Sequence, residues 1–134
     1  MKTFSGHERI VESLEFSQNN KFLISSSSDK SVRIWDLKTN ENVHKFDIGN
    51  HRVQDLRFAP GSQQFATAGT DSSVIIWDAK DGSLVRTLRF HKGKINTISY
   101  HPQDSVLLSA GSDRKWVLWD LVSGKSLLSH KGHT

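Results

Sequence analysis

Cysteine is absent from all 134 residues, which removes both a disulfide framework and thiolate metal chemistry. No apolar run approaches the ~18 residues that a membrane-spanning helix needs, so no membrane partner is expected. The opening MKTFSGHERI has no apolar segment of the kind that marks a secretory signal. With 35% hydrophobic and 24% charged residues the chain is composed like an ordinary folded protein, and an intracellular location, cytoplasm or nucleus, is expected. Basic residues outnumber acidic ones, 18 to 14, yet they never gather into a run. A scattered excess of that kind serves solubility before it serves attraction to an acidic partner.

What is present is a period. SVRIWD occupies 31–36, SVIIWD 73–78 and KWVLWD 115–120, and the residues Trp35, Trp77 and Trp119 stand 42 apart each time. A fixed period in the range of roughly 20 to 50 residues marks stacked supersecondary units rather than one globule with a unique core.

Ahead of each Trp comes a short apolar run, KFLIS (21–25), QFATA (64–68) or SVLLSA (105–110), too short for a helix and bounded by turn residues. These read as strands buried on both faces. Before them lie VESLEF (11–16), VQDLRF (53–58) and INTISY (95–100), closed by the turns SQNN, APGSQQ and HPQD. The Trp run is a third strand, and a more polar fourth strand follows KTN, AKDG or VSGK. With no helical stripe anywhere, the pattern predicts an all-β chain of about three four-stranded antiparallel sheets.

The chain resembles the WD-repeat (WD40) family of β-propellers over essentially its whole length. The likeness rests on Gly6-His7 opening the first repeat, on Asp29, Asp71 and Asp113 each six residues before a Trp, and on the closing Trp-Asp pairs. It implies a WD40 array with repeats at about 5–46, 47–88 and 89–130, and with 131–134 opening a fourth repeat. It also implies that the last strand of each repeat serves as the outer strand of the next blade.

The resemblance further implies a buried hydrogen-bond chain from Trp to a hydroxyl, an imidazole and a carboxylate. Carried over, the members are Trp35, Ser25, His7 and Asp29 in the first repeat and Trp119, Ser109, His91 and Asp113 in the third. In the second repeat Trp77, Thr67 and Asp71 are in register, but Gly49 stands at the histidine position and His51 comes two residues late. That chain is expected to be broken, with Asp71 satisfied by backbone N–H groups of its own turn. A Ser, His and Asp set also invites comparison with a hydrolase. A hydroxyl occupied by Trp and buried between sheets is no nucleophile, so no enzymatic activity is expected. His130 and His133 are too few ligands for zinc without cysteine, and no metal or cofactor is expected.

Partners of the family usually meet the narrow edge of the ring. The corresponding positions are Ile10, Glu12 and Ser28, then Arg52, Gln54 and Thr70, then Lys94, Asn96 and Ser112. A protein or peptide partner is expected there, with a nucleic-acid-binding module as the alternative suggested by a pI near 9.5. Lys38, Lys80 and Val122 stand where receptors of cullin-type ligases carry Arg after Trp-Asp, so that role is not expected. Trp116 replaces the aliphatic Val32 and Val74 of the other repeats, either as local repacking or to meet a blade or subunit beyond. Rings of this kind close with about four to eight blades, so three blades leave two sheet faces uncovered. The expectation is a piece or short version of a longer array, or an arc completed by copies of itself or by another chain.

Overall fold

A computed structural model describes residues 3–60, 63–102 and 105–131. It contains twelve strands and, among the described residues, no helix. The first sheet is β1 (Val11–Phe16), β2 (Phe22–Ser27), β3 (Ser31–Asp36) and β4 (Asn42–Asp47), in that spatial order. The second holds β5 (Val53–Phe58), β6 (Gln64–Gly69), β7 (Ser73–Asp78) and β8 (Leu84–Arg89). The third holds β9 (Ile95–Tyr100), β10 (Val106–Gly111), β11 (Lys115–Asp120) and β12 (Lys125–Lys131). Every pairing is antiparallel, and β5 packs between β1 and β9, so the first strands line the inner side of an unclosed ring.

Each fourth strand completes the sheet of its own repeat rather than the next one, because a tight hairpin folds it straight back on the Trp strand. The Asp of each Trp-Asp pair makes that hairpin: Asp36, Asp78 and Asp120 accept the backbone N–H of Lys38, Lys80 and Val122 at 2.7, 2.8 and 2.9 Å. The turn then needs one residue with positive φ, supplied by Asn40 (62°), Gly82 (76°) and Gly124 (74°). Gly82 is also packed directly under the ring of Phe46, where a Cβ would not fit. The proposed start of a fourth repeat at Gly132-His133 lies outside the described residues. Thr3 and Phe4 join no strand, and the Phe4 ring meets Trp35 edge-on at 5.7 Å.

Sheet packing follows from the two-residue alternation of strand side chains. One face of the first sheet, with Ile24, Val32, Ile34 and Phe46, meets Leu56, Phe65, Ile75 and Trp77 of the second. The opposite face of the second, with Ala66, Val74, Ile76 and Leu88, meets Ile98, Leu107, Val117 and Trp119 of the third. Two equivalent faces remain uncovered. Leu14 is 58% exposed, whereas its counterparts Leu56 and Ile98 are 0% and 1% exposed. On the far side Leu108 is 39% exposed, so the second strand of the third sheet is buried on one face only.

Buried polar groups tie neighbouring sheets together as well. The Asp55 carboxylate accepts Ile98 N–H at 3.0 Å and Thr97 Oγ1–H at 3.2 Å across the second joint. Across the first joint Glu15 accepts Phe58 N–H at 2.7 Å. Burial raises the Glu15 carboxyl above its ordinary value, against the lowering effect of that bond.

Candidate functional site

The polar framework is built the same way in every sheet. In the first, Trp35 Nε1–H donates to Ser25 Oγ at 2.9 Å, Ser25 Oγ lies 2.6 Å from His7 Nε2, and His7 Nδ1 lies 3.0 Å from Asp29 Oδ2. In the third, Trp119 Nε1–H donates to Ser109 Oγ at 2.9 Å, His91 Nε2 lies 2.8 Å from Ser109 Oγ, and His91 Nδ1 lies 3.0 Å from Asp113 Oδ1. An indole N–H can only donate, so the hydroxyl accepts it and shares its second hydrogen bond with Nε2. The carboxylate can only accept, so Nδ1 carries a proton and donates it there.

The second sheet is not broken. His51 Nε2 lies 2.9 Å from Thr67 Oγ1, His51 Nδ1 lies 2.8 Å from Asp71 Oδ1, and Trp77 Nε1–H donates to Thr67 at 2.9 Å. The expected gap is corrected by the loop. Ile48 to His51 close a turn, His51 N–H to Ile48 O at 3.2 Å, with Gly49 at φ 59°, and this takes up two residues before the histidine instead of after it. The imidazole reaches the same seat, 3% exposed. Something of the expected weakness survives at the carboxylate. Asp29 and Asp113 also accept backbone N–H groups from Glu8 and Lys92, at 3.1 and 3.0 Å, because those residues follow their histidines directly. Asp71 takes only Ser73 N–H, at 3.2 Å, and its side chain is 32% exposed against 8% and 9% for the other two.

Burial alone would raise the Asp29 carboxyl; hydrogen bonds from Ser31, His7 and the backbone of Glu8 outweigh it and hold the group well below the usual carboxylate range. Asp71 and Asp113 are lowered too, against the same burial effect, by Ser73 with His51 and by Lys92 N–H with His91. Ser31 and Ser73 were missed in the sequence reading. Their hydroxyls donate to Asp29 and Asp71 at 2.6 and 2.7 Å, and a serine two residues after the turn Asp was the available signal. Lys115 holds that place in the third sheet.

The nine edge positions are drawn into three groups by the backbone. Ser28, Thr70 and Ser112 each donate their N–H across the edge, to Ile10 O, Arg52 O and Lys94 O, at 2.9, 3.0 and 2.9 Å. Ile10, Arg52, Thr70, Lys94, Asn96 and Ser112 are exposed, while Ser28 and Gln54 are half-buried. Glu12 is not free: its Oε1 accepts Arg52 Nη2 and Nε at 2.6 and 2.9 Å, clasping the first two sheets together. Among the described residues no three His, Asp or Glu side chains converge as a metal site. No helix among them is long and apolar enough to cross a membrane.

The family model described as "WD domain, G-beta repeat" matches residues 1–36, 40–78 and 82–120. Among curated proteins, "Small ribosomal subunit protein RACK1" of Candida albicans is 38% identical over 45 residues, covering 34% of this chain and 14% of its own length. The "tRNA (guanine-N(7)-)-methyltransferase non-catalytic subunit wdr4" of Dictyostelium discoideum is 48% identical over 40 residues, 30% of this chain and 9% of its own. "Nuclear distribution protein PAC1" of Gibberella zeae is 41% identical over 51 residues, 38% of this chain and 11% of its own. The chain thus spans a small part of these relatives. The solved structure titled "Structure of U3-55K" superposes with a TM-score of 0.94 over 99% of this chain and 42% of its own, at 16% identity, a likeness of fold.

Proposed function

The chain belongs to the WD-repeat family, and from that premise we propose that it is a non-enzymatic scaffold whose narrow edge binds a protein or peptide. The observation that carries this reading is the commitment of every Ser or Thr, His and Asp set to a buried framework. Each hydroxyl lies between an indole and an imidazole, with no face open to a substrate. What varies between repeats and reaches solvent is the edge: Ile10 against Arg52 and Lys94, or Thr70 against Ser112. Rigid sheets that present variable loop residues suit binding. No cofactor is required, and an intracellular setting agrees with the names of the relatives.

The reading extends to assembly. The uncovered faces at Leu14 and Leu108 are the two halves of a joint that the chain closes twice internally, so a further blade fits each of them. Copies of the chain or another propeller chain would supply it, and two copies give six blades, inside the usual range.

Peptide display against the full chain tests the scaffold reading. Selected binders should lose at least about tenfold in affinity on Gln54→Ala or Asn96→Ala and be indifferent to Lys38→Ala and Lys80→Ala on the opposite edge. Binders that map to the opposite edge would refute it. Nucleic-acid binding is kept as a second reading by the pI near 9.5, and an affinity for generic RNA that falls steeply with salt would favour it.

A further inference from the structure

On the narrow edge, the joint between the first and second sheets opens into a cavity of about 300 Å³ lined by Arg9, Ser27, Ser28, Lys30, Asn50 and Arg52, with the backbone of Gly49. We propose that this cleft binds a phosphorylated serine or threonine of a partner peptide, a deepening that rests on the scaffold reading of the edge.

The charge distribution is the first ground. Three cations line the cleft and no carboxylate is among its lining residues; Glu12 is bonded to Arg52, which leaves Arg9 and Lys30 as the cations that face an incoming anion without a carboxylate partner among the described residues. A phosphate monoester carries about −1.5 to −2 at neutral pH, and matches that pair of cations. Arg9 and Lys30 come from the first sheet and Arg52 from the second, so an anion between them is held from both sides. Among the described residues no hydrogen bond engages the Arg9 guanidinium, and Lys30 Nζ makes a long contact, 3.5 Å, to Asn50 Oδ1. Ser28 Oγ, which among the described residues makes a long bond of 3.5 Å to Ile10 O, adds a neutral donor.

The second joint lacks this arrangement, which makes it an internal control. There Ser72 stands where Lys30 does, and because His51 occupies the framework seat directly before Arg52, the second sheet has no cation between its histidine and Arg52 as Arg9 lies between His7 and Ile10; Lys92 and Lys94 come from the third sheet. The difference is a property of the first joint and not of the repeat. A nucleic acid asks for something else, a stripe of cations that tracks a backbone and exposed aromatic faces for stacking. The cleft is a compact cluster, and none of its lining residues is aromatic.

The test is fluorescence anisotropy on the full chain with a labelled Ala-Gly peptide bearing one phosphoserine, beside its unphosphorylated twin. The phosphorylated probe should bind at least about tenfold more tightly, and inorganic phosphate at millimolar concentration should compete. Arg9→Gln with Lys30→Gln should abolish the discrimination, Arg9→Lys with Lys30→Arg should keep it, and Lys80→Gln on the opposite edge should leave it within about twofold. Both side chains of the double variant are exposed, and an unchanged urea midpoint verifies its fold. Equal binding of the two peptides, or discrimination that survives the double Gln variant, overturns the proposal. So does a uridine oligonucleotide that binds more tightly than the phosphopeptide. A chain that holds its selected edge-binding peptides yet ignores phosphate sinks this inference alone and leaves the scaffold reading in place.

Discussion

Replacing His51 by Ala separates the observed loop from the register that a fixed 42-residue period dictates. In the structure the imidazole bonds the Thr67 hydroxyl through Nε2 at 2.9 Å and Asp71 through Nδ1 at 2.8 Å. Thr67 is 0% exposed, so its orphaned hydroxyl costs about 1–3 kcal/mol. Asp71 is open enough for water to replace the lost bond, and adds little. The imidazole's own volume leaves a small void, worth about another 1 kcal/mol. In the third sheet His91→Ala orphans Ser109 in the same way, while Asp113 keeps Lys92 N–H and Lys115 N–H. Both substitutions should therefore lose about 2–4 kcal/mol, within about 1 kcal/mol of each other. Urea unfolding followed by tryptophan fluorescence, at one fixed protein concentration, measures both. A double-mutant cycle of His51→Ala with Thr67→Val should show about 1 kcal/mol of coupling. A loss below about 0.5 kcal/mol at His51, with a full loss at His91, would show that the ring is not seated between Thr67 and Asp71.

Other outcomes follow from the same contacts. Asp29 and Asp113 have folded values below their unfolded ones, so their contribution is complete above about pH 5 and drains away as pH falls through about 4 toward the folded values. The urea midpoint should be flat near neutrality and fall on the acid side, and Asp29→Asn should flatten that limb; a midpoint indifferent to acid would contradict the framework. Because Leu14, Phe16, Leu108 and Leu128 are exposed on uncovered faces, sedimentation should find the chain associated at micromolar concentration, with Leu108→Asp shifting it toward monomer. A sharp monomer mass with concentration-independent unfolding would remove the assembly reading.

The inner strands were legible in the sequence to the residue, Val11–Phe16, Val53–Phe58 and Ile95–Tyr100, since apolar positions and turn residues bound them on both sides. The second strands run further than their apolar runs. β2 continues through Ser26 and Ser27, and both serines are buried because the backbone ladder, not hydrophobicity, decides where pairing stops. His51 escaped because a template of fixed offsets cannot see a loop that moves two residues from one side of a side chain to the other. Gly49 was the clue, a residue suited to positive φ just upstream. Links between sheets, such as Asp55 to Ile98 and Glu15 to Phe58, left no mark in the sequence. They depend on how closely two separate sheets approach, which no local pattern encodes.

The two uncovered faces also depart from the repeat in opposite ways, and the departures have different consequences for an isolated arc. Where Ile75 and Val117 stand in the other sheets, the first sheet carries Arg33, whose guanidinium lies 5.9 Å from the centre of Trp35 and donates to Asn42 Oδ1 at 2.9 Å. Gly6 makes room for it: a Cβ there would sit 2.6 Å from Arg33 Nη1. With Phe4 on the same indole, the arginine stem keeps Trp35 buried although no blade covers that face. The exposed area is thus confined to the inner strand, at Leu14 and Phe16. The third sheet has no such cover. Trp116 stands where the others have Val, lies tilted against His130 at 6.0 Å between ring centres, and shares its face with Leu108 and Leu128. A guanidinium on one face and a wide aromatic on the other is a pairing that attracts, by about 0.5–2 kcal/mol when water is excluded. Val at 116 would remove that attraction and leave the aliphatic contacts, so Trp116→Val should weaken self-association less than Leu108→Asp does. The reverse order would mean that the two faces do not meet.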